Sequence, residues 1–275
     1  MHLKDNVAIV TGGSEGIGFG IASALASEGA LVYLVARTQS KLDEAKRRIE
    51  KSGGKAETRS ADITDTGLVK KIINEIYNQH KRLDIFVNNA GTWRPHTIST
   101  PFEEIEKILK LDFTGPYEIT QYLAEKFSKY PQNKLKILTV LSQAALQVMP
   151  SGLGYGPAKM ALASGLFHIQ KELEIAKVNN IKLYRLYPNT VATDKAIPLI
   201  REGKLQNPTT LDSVVSAAVD LLMDRTPTKD LRIGYYPGEG IKRTYFQSKT
   251  EEFYKIPIVK EEVVDPNFTP RDLFK

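Results

Sequence analysis

Tyr155 and Lys159 lie four residues apart in a stretch that reads as helix, which puts them on one face with Cβ atoms roughly 6 Å apart. Ser142 precedes Tyr155 by thirteen residues, at the end of an apolar run. The three side chains suit proton exchange with a carbonyl or alcohol oxygen. A free tyrosine titrates near 10, too high for efficient exchange at neutrality. Lowering that value by about 3 units takes about 4 kcal/mol. One ammonium at about 4 Å supplies a similar amount at an effective dielectric of about 20. Ser142 can donate a hydrogen bond to an oxygen that gains negative charge. The letters alone are ambiguous, since helices produce this pair by chance. A half-buried aromatic beside a strand-end hydroxyl would read the same.

A second constellation sits near the N-terminus. Thr11-Gly-Gly-Ser-Glu-Gly-Ile-Gly18 follows an apolar strand, Val7–Thr11, and opens a stretch of helical spacing, 17–27. A tight strand–helix turn needs residues without Cβ clashes. It also lets backbone approach a pyrophosphate resting on the free N–H groups of the helix start. Gly12, Gly16 and Gly18 are the candidate contact glycines, with Ser14, Glu15 and Ile17 between them. An acid that would hold a ribose 2′-hydroxyl is expected about 20 residues on, at the end of the second strand. Ala36 and Arg37 stand there instead. Arg37 offers a guanidinium fork to a 2′-phosphate, so NADP(H) is expected in preference to NAD(H).

The loop resembles the Thr-Gly-x-x-x-Gly-x-Gly element of the short-chain dehydrogenase/reductase family, matched through Thr11, Gly12, Gly16 and Gly18. Asn88-Asn-Ala-Gly91 resembles its Asn-Asn-Ala-Gly element, and Ser142, Tyr155 and Lys159 resemble its catalytic set. The likeness runs in the family's order from Val7 to about Gly240. It implies a hydride transfer between a nicotinamide cofactor and a small ketone or aldehyde, or a secondary alcohol. By the same resemblance, Tyr155 and Lys159 serve both proton transfer and cofactor binding, Lys159 by holding the nicotinamide ribose. Asp62, with Ile63 beside it, would meet the adenine. Asn89, Ala90 and Gly91 would flank the nucleotide. Pro188, Asn189, Val191 and Thr193 would meet the nicotinamide carboxamide. Two positions depart from the pattern. Asn189 replaces a glycine, and asparagine tolerates left-handed backbone better than most residues. Asp112 stands three residues before Gly115, where the family has an asparagine that holds a helix kink and a water feeding the lysine. Asp112 accepts the same bonds but donates none unless protonated, so it should shift the pH profile without abolishing activity.

The elements that must position these groups alternate. Short apolar runs at 31–35, 85–88, 136–141, 181–187 and 231–235, with a more alternating one at 55–61, read as strands. Helical spacing marks 40–51, 68–77, 102–130, 151–177 and 211–223, with a bend at Gly115-Pro116 and Pro157 in a first turn. Right-handed crossovers then predict an α/β fold, a doubly wound parallel sheet in a single Rossmann-type domain over 1–240. Residues 241–275 show no clear periodicity and read as a tail wrapped on the same domain. Substrate walls are expected from Trp93 and Arg94, from Gln143, Ala144 and Met149, and from 194–207.

Composition narrows the classes. The 275 residues hold 38 Lys and Arg against 32 Asp and Glu, a net charge of +6 with signs interspersed, so a solvated surface is favoured over a nucleic-acid footprint. There is no cysteine and only 4 His, scattered, which leaves no disulfide, thiolate nucleophile or evident metal cluster. No apolar run reaches membrane-spanning length and the N-terminus lacks a leader's apolar region, so a cytoplasmic protein is expected. The resemblance implies a homodimer or homotetramer formed through 102–130 and 151–177. Two other readings stay open: a catalytically weakened nucleotide-binding regulator on the same fold, and a different glycine-loop enzyme such as a methyltransferase.

Overall fold

The computed structural model describes residues 2–246 and 258–274. Strands β1 (Val7–Thr11), β2 (Leu31–Ala36), β3 (Lys55–Ser60), β4 (Ile85–Asn88), β5 (Leu135–Val140), β6 (Ile181–Pro188) and β7 (Asp230–Tyr236) pair in parallel. The sheet order is β3-β2-β1-β4-β5-β6-β7, followed by β8 (Gly240–Phe246) and β9 (Ile258–Asp265). The order reverses between β1 and β4, and ligands of open α/β sheets bind at such a switch point, outside the carboxyl ends of the strands.

Residues of successive parity leave opposite faces of each strand, so the central strands must be apolar on both sides. Ala8 and Val10 of β1 pack under α1 (Gly16–Ser27), α2 (Gln39–Lys51) and α8 (Leu211–Leu222), while Val7 and Ile9 pack under α3 (Thr66–His80), α5 (Gly115–Ser128) and α6 (Tyr155–Ile175). Two core layers sandwich one sheet. Thr11 Oγ1 stitches β1 to β4: it donates to Val87 O at 3.1 Å and accepts from Asn89 N and Ala90 N at 3.0 and 3.1 Å.

The stretch expected as one bent helix over 102–130 is α4 (Phe102–Leu109), a π-helical turn (Lys110–Thr114) and α5. The extra residue of a π turn re-aims a side chain without breaking the helix, and here it turns Asp112 inward. A short helix α7 (Ile197–Arg201) was not foreseen. The segment read as a tail on the same domain, 241–275, carries two further strands among its described residues. β8 and β9 extend the sheet in antiparallel register, so the sheet is mostly, not wholly, parallel. Ile241, Tyr245 and Phe268 join the core, and Phe268 stacks edge-on to Tyr235 at 5.5 Å. Pro257 in that segment lies outside the described residues. Among the described residues no helix is long and apolar enough to cross a membrane.

Candidate active site

The glycine loop leaves β1 at Gly12, whose φ of +63° an L side chain rarely adopts. Its N–H donates to Val35 O at 2.8 Å, tying the loop to β2. A Cβ on Gly18 would come within 2.3 Å of the Gly12 carbonyl oxygen, so the loop closes on itself only with hydrogen at that position. α1 begins here with no side-chain cap on its first N–H groups. The turn therefore presents free donors toward a cleft of about 800 Å³ along the strand ends. Thr11, Gly12, Ser14, Glu15 and Ile17 line that cleft. Gly16 and Gly18 do not; they shape the turn beneath it. These features fit the pyrophosphate of a dinucleotide.

Arg37, Asp62 and Ile63 line one end of the cleft, and Asn89, Ala90 and Gly91 its floor. Arg37 pairs with Asp62 at 3.7 Å, both partly exposed. Burial works to raise the Asp62 carboxyl, but hydrogen bonds from Thr64 and the Arg37 charge outweigh it and hold the group below the ordinary range. Glu15 does not stand alone in the loop. It pairs with Lys41 at 3.0 Å and with Lys195, and both lysines line the same cleft. Lys41 escaped the sequence reading, and Lys195 was expected only as part of the 194–207 wall, not as a partner of Glu15. Lys41 had a signal, since it lies in the first turn of α2, just past Arg37.

At the other end, Ser142, Tyr155, Lys159 and Asp112 converge, although they come from the end of β5, the start of α6 and the π turn. Ser142 Oγ accepts from Ala144 N at 3.1 Å and acts electrostatically on Tyr155. The Lys159 ammonium sits 5.5 Å from the centre of the Tyr155 ring and donates to Val140 O at 3.4 Å. Lys159 also forms an ion pair with Asp112 at 3.1 Å, their side chains 5% and 0% exposed. The second Asp112 oxygen accepts from Thr92 N at 3.2 Å. A Cβ on Gly91 would stand 2.3 Å from Asp112 Oδ1, so the pair fits because residue 91 has no side chain.

This pair dominates the electrostatics. Burial pushes the Asp112 carboxyl up, and Lys159 offsets part of that rise. Burial works to lower the Lys159 ammonium, but Asp112 and Tyr155 outweigh it and hold it above the ordinary lysine range. Tyr155 is raised, first by burial; Lys159 and Ser142 pull it down and Asp112 pushes it up.

Pro188 ends β6, Asn189, Val191 and Thr193 follow it, and all four line the cleft. Asn189 is not left-handed. Its side chain acts as a tie, accepting from Thr209 Oγ1 at 2.6 Å and donating to Asn207 O at 2.8 Å. Gly234 of β7 makes room for it, since a Cβ there would reach 2.9 Å from Asn189 Cγ. Of the expected substrate walls, Trp93, Gln143, Met149 and, within 194–207, Lys195, Ala196, Leu199, Leu205, Gln206 and Asn207 line the cleft, whereas Arg94 and Ala144 do not. Ala144 is buried in packing instead. Tyr235, Tyr236 and Pro237, from the end of β7, form an unforeseen wall. Among the described residues no group of three or more metal-ligating side chains gathers anywhere.

The model of the short chain dehydrogenase family matches residues 6–202. A 3α-hydroxysteroid dehydrogenase of Mediterraneibacter gnavus is 31% identical over 206 residues, 72% of this chain and 79% of the relative. A sorbose reductase of Candida albicans is 32% identical over 203 residues, 70% of this chain and 69% of the relative. Among solved structures, a 7α-hydroxysteroid dehydrogenase complexed with NADH and a 7-oxo bile acid superimposes with a TM-score of 0.71 at 26% identity, over 80% of this chain and 88% of the other. A metagenomic short-chain oxidoreductase in complex with NADP has a TM-score of 0.70 at 24% identity, over 84% and 99%.

Proposed function

Because the chain belongs to the short-chain dehydrogenase/reductase family of NAD(P)-dependent oxidoreductases, we propose that it moves a hydride between NADP(H) and a small ketone or aldehyde, or the matching secondary alcohol. The observation that carries this reading is the convergence of Ser142, Tyr155 and Lys159 in the cleft that the glycine loop also lines. When bound, the nicotinamide dinucleotide supplies or accepts the hydride. Ser142 donates a hydrogen bond to the substrate oxygen, and Tyr155 gives or takes the proton there. Lys159 holds the nicotinamide ribose, and its charge favours the tyrosinate. The uncapped start of α1 and the glycine loop hold the pyrophosphate. Asn89, Ala90 and Gly91 steady the nucleotide, and Asp62 takes the adenine. Pro188, Asn189, Val191 and Thr193 orient the carboxamide.

Preference for NADP(H) is supported by Arg37 at the end of β2, where no acid stands, and by Lys41 one helical turn further. A substrate with an apolar body is supported by Trp93, Met149, Leu199, Leu205 and Tyr235 on the cleft wall. Relatives named for a hydroxysteroid and for sorbose leave that class broad. The oligomer, a homodimer or homotetramer, would form through α4, α5 and α6; Phe102 on α4 is an exposed aromatic there.

The test is NADPH oxidation against a panel of a diketone, a 3-oxoacyl thioester, a 3-oxosteroid and a ketose, with Tyr155→Phe as control. Turnover is expected, and it should fall by at least 1,000-fold in the variant, about 4 kcal/mol of lost transition-state stabilisation. NADPH binding without turnover would instead favour a nucleotide-binding regulator, a reading motivated by the Lys159–Asp112 pairing. Binding of S-adenosylmethionine but not NADPH would overturn both.

A further inference from the structure

We propose that Asp112, by pairing with Lys159 inside the π turn, draws that cation away from Tyr155, keeps the phenol protonated and poises the site for carbonyl reduction over alcohol oxidation. This rests on reading Ser142, Tyr155 and Lys159 as the reacting set. The geometry is specific to Asp112. An asparagine there brings no charge, so Lys159 would act on Tyr155 as an unopposed cation. A carboxylate 3.1 Å from the ammonium converts the cation into an ion pair, whose field at the ring 5.5 Å away is much weaker. Both partners are buried, so water does not screen the pair. The arrangement is held from three sides: the π turn aims the carboxyl inward, Thr92 N–H fixes its second oxygen, and the absence of a side chain at Gly91 admits it.

The groups that act on Tyr155 come from three elements. Lys159 lies one turn along α6, Asp112 comes from the π turn, and the Ser142 hydroxyl comes from the end of β5. Burial and Asp112 favour the neutral phenol; Lys159 and Ser142 favour the tyrosinate. The charge that opposes Lys159 is that of the ionised Asp112 carboxylate, and the two groups titrate as one unit.

The two directions ask opposite things of Tyr155. In reduction the carbonyl carbon takes a hydride from the reduced nicotinamide. The oxygen takes the phenol proton, so the Tyr155 O–H bond breaks as the alcohol O–H forms. That direction needs Tyr155 protonated at the start. In oxidation the tyrosinate must take the alcohol proton as the hydride leaves for the oxidised nicotinamide. That direction needs Tyr155 ionised, which Asp112 disfavours. Asp112 is thus a positioning residue, acting through Lys159, that sets the working direction.

The experiment titrates the protein without cofactor. The ultraviolet tyrosinate absorbance of the Tyr155→Phe variant is subtracted from that of the unaltered protein, which isolates Tyr155. The midpoint should lie above the ordinary tyrosine value near 10, and a midpoint below it overturns the proposal. Repeating the pair in an Asp112→Asn background should lower the midpoint by at least one pH unit, tenfold in the ionisation constant. Asp112→Glu should restore it. An unmoved midpoint in a folded Asp112→Asn protein also overturns the proposal. Where Asp112→Asn does not fold, the unaltered protein alone still decides. With cofactor and an alcohol, the rising limb of kcat/KM for oxidation should move down in Asp112→Asn by the same interval, while reduction loses its alkaline range. A limb that stays in place counts against the assignment. Absence of turnover in both directions, with the titration as expected, would sink the oxidoreductase reading and leave the electrostatic one standing.

Discussion

On the proposed reading, charges at single residues set the preference for NADP(H). Arg37 stands where an acid would read a free ribose hydroxyl, and it pairs with the Asp62 carboxylate at 3.7 Å. An exposed pair at that distance is worth little, so in the proposed binding mode a 2′-phosphate displaces the carboxylate and takes the guanidinium. Lys41 is held nearby by Glu15, which offers a second cation that the loop itself does not carry. Arg37→Ala should lower the ratio of kcat/KM for NADPH over NADH by about 10- to 100-fold, in line with a lost charge-assisted contact of about 1.5–3 kcal/mol. Adding Lys41→Ala should lower it further. A ratio unchanged by both substitutions would mean that neither cation meets the 2′-phosphate.

Elements place donors and acceptors that no single residue could place. Thr11 closes β1 and satisfies two backbone N–H groups at the end of β4, those of Asn89 and Ala90. The same β4 end is tied to α5 through Asn88, whose amide donates to Thr120 Oγ1 at 2.7 Å. Thr11→Val keeps the shape and removes the acceptor, leaving both N–H groups without a partner. A loss of about 2–4 kcal/mol in denaturant unfolding is expected, together with weaker NADPH binding because Asn89 and Ala90 border the cleft. Unfolding at the same denaturant midpoint would show that the strand junction tolerates the loss. The π turn belongs to this scale as well. Gly115 follows it, and a Cβ there would meet Lys110 O and Ile63 O at 3.0 Å, so glycine lets the turn pack against the segment after β3.

The whole molecule adds a buried charge on the sheet's far half. Arg185 of β6 donates to both oxygens of Asp230 of β7, at 2.5 and 2.9 Å, and to Gln170 of α6 at 2.9 Å, with its guanidinium 4.0 Å over the Phe167 ring. Both members are fully or nearly fully buried. Breaking one side of such a pair strands the other charge in a low dielectric. Asp230→Ala should therefore cost about 3–5 kcal/mol of stability, read as a lower denaturant midpoint. A change under about 1 kcal/mol would mean that water reaches Arg185. The pair also anchors the strand from which β8 and β9 extend, and the end of β7 supplies Tyr235 and Tyr236 to the cleft. The last strands and this wall of the cleft thus depend on one junction.

The glycine loop, the Tyr155–Lys159 spacing and the apolar strand runs were legible in the chain because each is local: a turn, a helical period and a buried parallel strand leave signatures within a few residues. The same local logic located the bend near Gly115 but not its form as a π turn. The antiparallel β8 and β9 went unread because alternation is weak where half the positions are charged, as in the Lys260-Glu261-Glu262 run of β9. Only the tertiary structure could pair Lys159 with Asp112, bring Lys41 and Lys195 onto Glu15, or seat Asn189 against Gly234. Those contacts join residues from 26 to 180 positions apart, separations that strand order and crossovers close and that leave no local trace in the sequence. The residue types determined what chemistry was available; the fold decided which charges face one another.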